Sequence, residues 1–376
     1  MTRITSIQAR TVAIPLDTPT AMARREVTER HYCFVRITDE DGNTGIGFCY
    51  AGNFGGPLLS GAVRDLVAPI LVGHDSRNVR ALWDEVYAET ILHGRAGLVT
   101  RAHSAVDIAL WDLNARAVGQ PLWQFLGGAT TRDWVPAYAS GGYYLAGKTP
   151  DDLADEMKGY VELGFDAVKM KVGRVGVAPE ADAERLAAVR AAVGSEVKVM
   201  LDANNAWPDL PTALGALRLL EPYDPYWIEE PFFPDDIINH ARLAERTPVT
   251  VATGEIEQGR WRHLQLLTQG AAGILQTDAA VCGGITEYQR IADTAASFGV
   301  SMCPHWFHDL HVHLVGSLTN GQYVEYFPND QVLNFRRAVS HQLEIVPAGV
   351  RLPTRHGLGF DFVDDVVEDC ALDSWA

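Results

Sequence analysis

Lys169, Lys171, Asp202, Glu229, Glu255, Asp278, His305 and Glu325 each stand at or near the end of a short apolar run. Gathered in one place, these residue types would hold a hard cation and move a proton beside it. Asp202, Glu229 and Glu255 offer only oxygen, with no thiolate or imidazole near them in sequence, which favours Mg²⁺ first and Mn²⁺ or Ca²⁺ after it. Three carboxylates in a small volume repel one another, so without a cation their pKa values would rise or the site would open. Magnesium keeps positions free for water or substrate, so the expected partner is an anionic small molecule, most simply a carboxylate. Lys171, crowded by Lys169 and by the metal, is expected to have a lowered pKa and to act as a base near neutral pH. Asp278 on one nitrogen of His305 would fix the imidazole tautomer, raise its basicity and turn the other nitrogen to the substrate. The chemistry these groups suit is removal of the proton next to a carboxylate, with the metal stabilising the enediolate.

Such residues meet only if the chain brings strand ends together. The runs WVPAYAS, FDAVKMKVG, VKVMLDANN, YWIEEP, VTVATGE, AGILQTDA, GVSMCPH and QYVEYF alternate with amphipathic segments from about residue 134 onward. Eight runs separated by helical segments predict a closed (β/α) barrel, whose strand C-termini converge on one face. Alternation within FDAVKMKVG would point Lys169 and Lys171 inward and Met170 outward. Each residue alone has a plainer explanation. A lone Asp after a strand is most often a helix cap, Glu229-Glu230 could cap a helix after Pro231, and His305 could be a buried core histidine. Capping does not explain why nearly every strand ends in an ionisable group that one reaction needs.

Ahead of the barrel the chain mixes strands and helices. HYCFVRIT, a turn at Asp39–Asn43 and TGIGFCY read as a hairpin. Leu59, Val63, Leu66 and Ile70 fall on one helical face, and Val79, Leu82, Trp83 and Val86 on another. Residues 99–118 form a third helical stretch. The expected division is a capping domain over 1–125, a barrel over 126–345, and a tail of about 346–376 that returns to the cap.

A formal charge of -17 repels phosphate backbones and anionic membranes, so neither nucleic acid nor a membrane is expected as a partner. Five cysteines with no CxxC pair argue against a zinc ribbon or a disulfide framework and fit reduced thiols in a cytoplasm. MTRITSIQAR lacks the apolar core of a signal peptide.

AVKMKVG, MLDANNAW, WIEEP, TGE, the Asp278 strand with GGIT, CPHWF and VDIALWDLNARAVGQPLWQFLGG, in this order, resemble the mandelate racemase subgroup of the enolase superfamily. The resemblance implies an α/β fold, a modified (β/α)₇β TIM-type barrel with an α+β capping domain built from both chain ends. It implies Asp202, Glu229 and Glu255 as ligands of one Mg²⁺, Lys171 as the base on one face, and His305 with Asp278 as the acid/base on the other. It further implies Lys169 and Glu325 at the substrate carboxylate, Asn204 and Ser140 as polar neighbours of the substrate, and a homo-oligomer.

Within the subgroup, GIGFCYAGNFGG, AYASGGYY and CPHWFHDLHVHL look most like the galactarate/talarate-type acid-sugar dehydratases. The lysine that muconate-lactonizing and dipeptide-epimerase enzymes carry after the sixth strand is missing from AAVCGG, which makes a two-lysine epimerase a poor fit. A capping loop over roughly 17–30, with Arg24, Arg25, Thr28 and Arg30, would suit a polyhydroxy mono- or diacid. The reading is an acid-sugar dehydratase yielding a 2-keto-3-deoxy acid; the alternative is a racemase or epimerase using the same bases. Two further classes stand beside these. His311-Val312-His313 resembles a zinc HxH pair, though on a helix such positions face different ways. A non-catalytic binder on the same barrel is the other, and the full set of acid/base positions argues against it.

Overall fold

The computed structural model describes residues 2–376. The hairpin read from HYCFVRIT is there, within a three-stranded antiparallel sheet of β1 (Ile4–Met22), β2 (Arg25–Asp39) and β3 (Thr44–Gly52). Its turn is tied by the Asp39 carboxylate, which accepts from the Asn43 N–H at 2.9 Å and from the Asn43 side-chain amide at 2.9 Å.

The expected capping loop at 17–30 is instead a continuation of β1 and β2. Thr20 pairs with Val27, Ala21 with Glu26 and Met22 with Arg25, leaving only a tip at Ala23–Arg24. An irregularity between Pro15 and Thr20 resets the register, and the ribbon then leans on the barrel. Ala21 bridges to Tyr144, and the Val175 N–H reaches the Ala23 carbonyl at 3.2 Å. Burial of Ala21 and Val27 makes a paired ribbon cheaper than a loop.

The helical face predicted as Leu59, Val63, Leu66 and Ile70 also shifts. A π-turn over Val63–Val67 inserts one residue between the helices Gly56–Ala62 and Ala68–Leu71, so Val67 and Leu71 are buried in place of Leu66 and Ile70. The face of Val79, Leu82, Trp83 and Val86 is buried as read.

Gly45 and Gly47 let β3 lie directly on the long helix Leu98–Ala117. A Cβ on Gly47 would stand 2.0 Å from the Ala105 carbonyl oxygen, and one on Gly45 would stand 2.2 Å from that of Ala109. Both obstacles are backbone, so no rotamer relieves them. Gly47→Ala is expected to cost about 3 kcal/mol, the upper range for overpacking. It should lower the melting temperature by several degrees in a circular-dichroism melt; an unchanged melt would mean that sheet and helix do not touch here.

All eight apolar runs form parallel strands: β4 (Trp134–Ser140), β5 (Ala167–Lys171), β6 (Lys198–Asp202), β7 (Pro225–Glu229), β8 (Thr250–Thr253), β9 (Ile274–Leu275), β10 (Ser301–Met302) and β11 (Val324–Tyr326). β11 pairs back onto β4, and a Met302–Gly321 bridge spans the remaining seam. Each of the first seven strands is followed by a helix, while β11 leads only into a 3₁₀ turn at Phe335–Ala338, so the barrel is (β/α)₇β.

Beyond it, β12 (Ile345–Val346) and β13 (Gly349–Arg351) form a hairpin that pairs antiparallel with the start of β4, an element not expected from the sequence. The last residues then return to the first sheet: the Ala13 N–H meets the Cys370 carbonyl at 2.8 Å, and the Leu372 N–H meets that of Thr11 at 2.9 Å.

The segment VDIALWD proves to be cement between these parts. Asp107 accepts from the Thr286 N–H at 2.8 Å and hydroxyl at 2.7 Å, tying the long helix to the barrel. Asp112 accepts from the N–H groups of Ile46 at 2.8 Å and Leu358 at 2.7 Å. Burial pushes the Asp107 carboxyl up to about 7. Among the described residues, no helix is long and apolar enough to cross a membrane.

Candidate active site

Strand register sets the first three residues. Lys171 pairs with Asp202 and Asp202 with Glu229, so the three stand level on β5, β6 and β7. Lys169 and Lys171 point inward as the alternation predicts, while Met170 packs outward among Leu153, Met157 and Leu201. Glu255 follows β8 by two residues and His305 follows β10 by three. The chain is bent sharply there. Five of the eight non-glycine residues with positive φ among those described are Asn204, Asn205, Glu230, Trp306 and Phe307, all just past barrel strands. Strain of this kind persists where the surrounding structure dictates it, and it gathers at functional sites.

Lys171, Asn204, Glu255 and His305 line one cavity of about 750 Å³ between the barrel mouth and the cap. Lys169, Asp202, Glu229 and Glu325 are buried behind it. The Lys169 ammonium lies 2.7 Å from Glu229 Oε1, 2.6 Å from Glu325 Oε1 and 3.7 Å from Asp202 Oδ2. Lys171 donates to Asp202 Oδ2. Across the barrel, His305 Nδ1 lies 3.0 Å from Asp278 Oδ2, and Nε2 lies 3.7 Å from Glu255 Oε2. Asp278 also caps the short turn that follows it, through the Ala280 N–H at 2.8 Å, so the capping and dyad roles coexist in one carboxylate.

The electrostatics depart from the sequence reading in two places. Burial disfavours the Lys171 charge, but the adjoining Asp202 outweighs it and holds the ammonium above the ordinary lysine range, not below it. The expectation of a lowered pKa fails because the nearest charge is a carboxylate in contact, and Lys169 is a weaker influence. Asp202, likewise, is not raised by its neighbours. Burial would raise it, yet Lys171 and Lys169 draw it down to about 2. Glu229 follows the expectation: burial and Asp202 drive its carboxyl well up against the pull of Lys169. His305 is held well above the ordinary histidine range; burial opposes this, and Glu255, Tyr50 and Asp278 prevail.

Among the described residues, no three acidic, histidine or cysteine side chains are drawn tightly enough to grip an ion as they stand, since the two ammonium groups lie between the carboxylates. The donor set nevertheless fits a hard divalent cation. Asp202, Glu229, Glu230, Glu255 and Glu325 are five buried carboxyls against two buried ammonium groups. Glu255 Oε2 is buried without a hydrogen-bond partner and faces the cavity, and Asn204 Oδ1 is equally unpartnered. Oxygen-only donors with an excess of negative charge suit Mg²⁺.

Glu230, which the sequence offered as a helix cap, does something else. The next helix begins at Ile237 with Asp236 as its cap. Glu230 accepts from the Thr253 hydroxyl, the Asn205 amide and, at 3.1 Å, the Gly254 N–H, so it braces the turn that presents Glu255. Burial and Glu255 push its carboxyl up to about 8.

Ser140 ends β4 beside Lys169, with its hydroxyl buried and unpartnered, but it does not line the cavity. Arg25 lines the mouth. Arg24 does not: its guanidinium turns outward to the Ala206 carbonyl at 3.4 Å and over the Phe233 ring at 5.8 Å, because it sits at the ribbon tip. Arg30 and Arg101 line the wall instead. Arg101 lies in a stretch that reads as a core helix, and nothing local marks it. The HxH pair is structural. His311 donates from Nδ1 to the Trp306 carbonyl at 2.7 Å and accepts the Ala279 N–H on Nε2 at 3.1 Å. His313 does the same between the Leu358 carbonyl and the Trp123 N–H, at 3.0 and 3.2 Å. With both nitrogens of each ring engaged by backbone, neither offers a lone pair to zinc.

Comparison with known proteins places the chain in a family. The family model for the N-terminal domain of mandelate racemase / muconate lactonizing enzymes matches residues 4–127, and the enolase C-terminal domain-like model matches 152–366. The chain is 34% identical over 367 residues to an L-talarate/galactarate dehydratase of Salmonella typhimurium, covering 95% of this chain and 88% of that protein. It is 33% identical over 331 residues to a 3,6-anhydro-alpha-L-galactonate cycloisomerase of Streptomyces coelicolor, covering 87% and 88%. The crystal structure of L-talarate dehydratase from Polaromonas sp. JS666, complexed with Mg and L-glucarate, superposes with a TM-score of 0.91 at 34% identity, over 100% of this chain and 99% of that one.

Proposed function

This chain belongs to the mandelate racemase / muconate lactonizing enzyme family of the enolase superfamily, and from that premise we propose that it is a Mg²⁺-dependent acid-sugar dehydratase. The observation that carries the reading is that Lys171, from β5, and His305, from just beyond β10 and paired with Asp278, line one cavity, with Asp202, Glu229 and Glu255 at the ends of the strands between them in the barrel. Asp202, Glu229 and Glu255 would hold the cation, which when bound would supply positive charge to the substrate carboxylate and to the negative charge that grows as the α-proton leaves. Lys169 and Glu325, ion-paired beside these ligands, contact the same carboxylate.

With the Asp202 charge engaged by the cation, the influence that keeps Lys171 protonated would weaken and burial would favour the neutral amine. Lys171 in that form takes the proton at C2. His305 stays hydrogen-bonded through Nδ1 to Asp278, which lies outside the ligand set and favours the imidazolium, so it would give a proton to the C3 hydroxyl as that group departs as water. The enol left behind tautomerises to a 2-keto-3-deoxy acid. Incubation with a panel of aldonic and aldaric acids plus Mg²⁺, followed by a 2-keto acid assay, is expected to find turnover; a silent panel would sink the reading.

A racemase or epimerase is the second reading, and the same two carriers support it. One group can remove the proton from one face and the other return one to the opposite face, with no hydroxyl lost. Deuterium entering C2 of recovered substrate, with no keto acid formed, would select it.

A further inference from the structure

Two arginines of the cap reach the cavity without a carboxylate partner. Arg30, on β2, is 7% exposed, makes no side-chain hydrogen bond among the described residues, and has a buried Nε without an acceptor. Its guanidinium lies 5.0 Å from the Trp306 ring centroid. Arg101, in the helix Leu98–Ala117, lies 4.6 Å from the Tyr50 ring centroid and gives one N–H to the Tyr50 carbonyl at 3.1 Å. The Tyr50 and Trp306 rings meet edge to face at 4.7 Å. Arg30, Trp306, Tyr50 and Arg101 therefore form a continuous ladder, and all four line the same cavity.

Stacking satisfies the faces of a guanidinium and leaves its in-plane donors free, all of those on Arg30 and all but one on Arg101. Each group has five N–H donors in that plane, and their natural complement is a carboxylate. A buried cation with no such complement is costly. The contrast with Arg10 is direct: equally buried at 8%, it is paired with Glu368 and with the Asp373 carbonyl at 2.8 Å. Arg25 and Glu26 line the same cavity from the ribbon tip, but they are exposed and water solvates them. The ladder adjoins His305, whose imidazole lies 6.4 Å from the Tyr50 ring, and continues from there into the cap: three of its members are cap residues, whereas Asp202, Glu229 and Glu255 come from barrel strand ends. A molecule spanning the cavity would meet a cation at one end and two guanidinium groups at the other.

We propose that Arg30 and Arg101 bind a second carboxylate at the far end of the substrate, so that the enzyme acts on polyhydroxy dicarboxylic acids in preference to the matching monocarboxylic acids. This rests on the acid-sugar reading above and narrows its substrate class. The test pairs aldaric acids with aldonic acids of the same configuration, which differ only in a terminal carboxylate against a hydroxymethyl group. Both kcat/KM and, independently of turnover, calorimetric affinity are measured in Mg²⁺.

A preference for the diacid of roughly 10²-fold or more is expected, since a site built to pair a polar group rejects the analogue that lacks it. Arg30→Met and Arg101→Met keep the stacked aliphatic bulk and should bring that ratio toward one, chiefly through KM. Arg101→Lys should restore part of it. Equal handling of both acids by the unaltered protein overturns the proposal and leaves the dehydratase reading standing. Tighter diacid binding without any keto acid upholds the second carboxylate site and sinks the dehydratase reading. Neither binding nor turnover of any acid overturns both. The ratio for the unaltered protein needs no variant, so misfolding of one does not protect the idea.

Discussion

Lys171→Ala is expected to lower turnover of a confirmed substrate by roughly 10²–10⁴-fold, the range that one positioned acid or base contributes. The fold should survive, because Lys169 still pairs with Glu229 and Glu325. Loss of the amine also removes the ammonium that donates to Asp202, leaving only the Asn204 donors there, so the variant's Mg²⁺ affinity should hold or rise while its turnover falls. A purely structural lysine would do the reverse, lowering the melting temperature and leaving turnover per folded molecule alone. His305→Asn keeps a polar group of similar reach near Asp278 and removes only the transferable proton, and a loss of the same order is expected. The two should fail differently. If Lys171 is the base, Lys171→Ala stops exchange of the C2 proton with solvent, whereas His305→Asn leaves exchange running and stops keto-acid release. The double variant should be little worse than the poorer single one, since groups acting in one sequence do not contribute additively. If neither change alters turnover or exchange, the assigned roles are wrong.

Removing divalent cations with a chelator is expected to abolish turnover, and added Mg²⁺ to restore it. The reason lies in the charge balance: five buried carboxyls face two ammonium groups that are already ion-paired to them, so little positive charge is left to receive the substrate carboxylate. The stripped protein should keep its circular-dichroism spectrum, because Lys169 and Lys171 already hold Asp202, Glu229 and Glu325 together. Mg²⁺ at a hundredfold excess over its dissociation constant should stabilise the fold by about 2.7 kcal/mol, visible as a higher melting temperature. Glu255→Gln should weaken that shift, since its Oε2 faces the cavity unpartnered. Turnover indifferent to chelation, or stoichiometric zinc in the purified protein, would overturn the cation assignment.

Much of the fold is legible in the chain because its signals are local. Alternation in FDAVKMKVG sets which side of β5 faces inward, and the recurrence of apolar runs with helical segments between them specifies a barrel. Parallel strands then carry their C-terminal residues to one face without further information, which is why the chain alone groups Lys171, Asp202 and Glu229. The ribbon at 17–30 reads poorly because its pairing is supported by contacts with Tyr144 and Val175, more than 100 residues away in sequence. The shift from Leu66 to Val67 reads poorly because a π-turn leaves no compositional mark.

The two proton carriers show where the boundary falls. The sequence by itself determined that Lys171, His305 and a set of carboxylates stand at or just past the ends of strands of one barrel, because residue type and strand period are properties of the chain. Only the tertiary structure decided that Asp202 keeps Lys171 protonated, that Arg24 turns away, and that Arg30 and Arg101 reach the cavity without a carboxylate partner. Those outcomes depend on separation and burial, through which Coulomb energies and desolvation act, and neither quantity can be read from position along a chain.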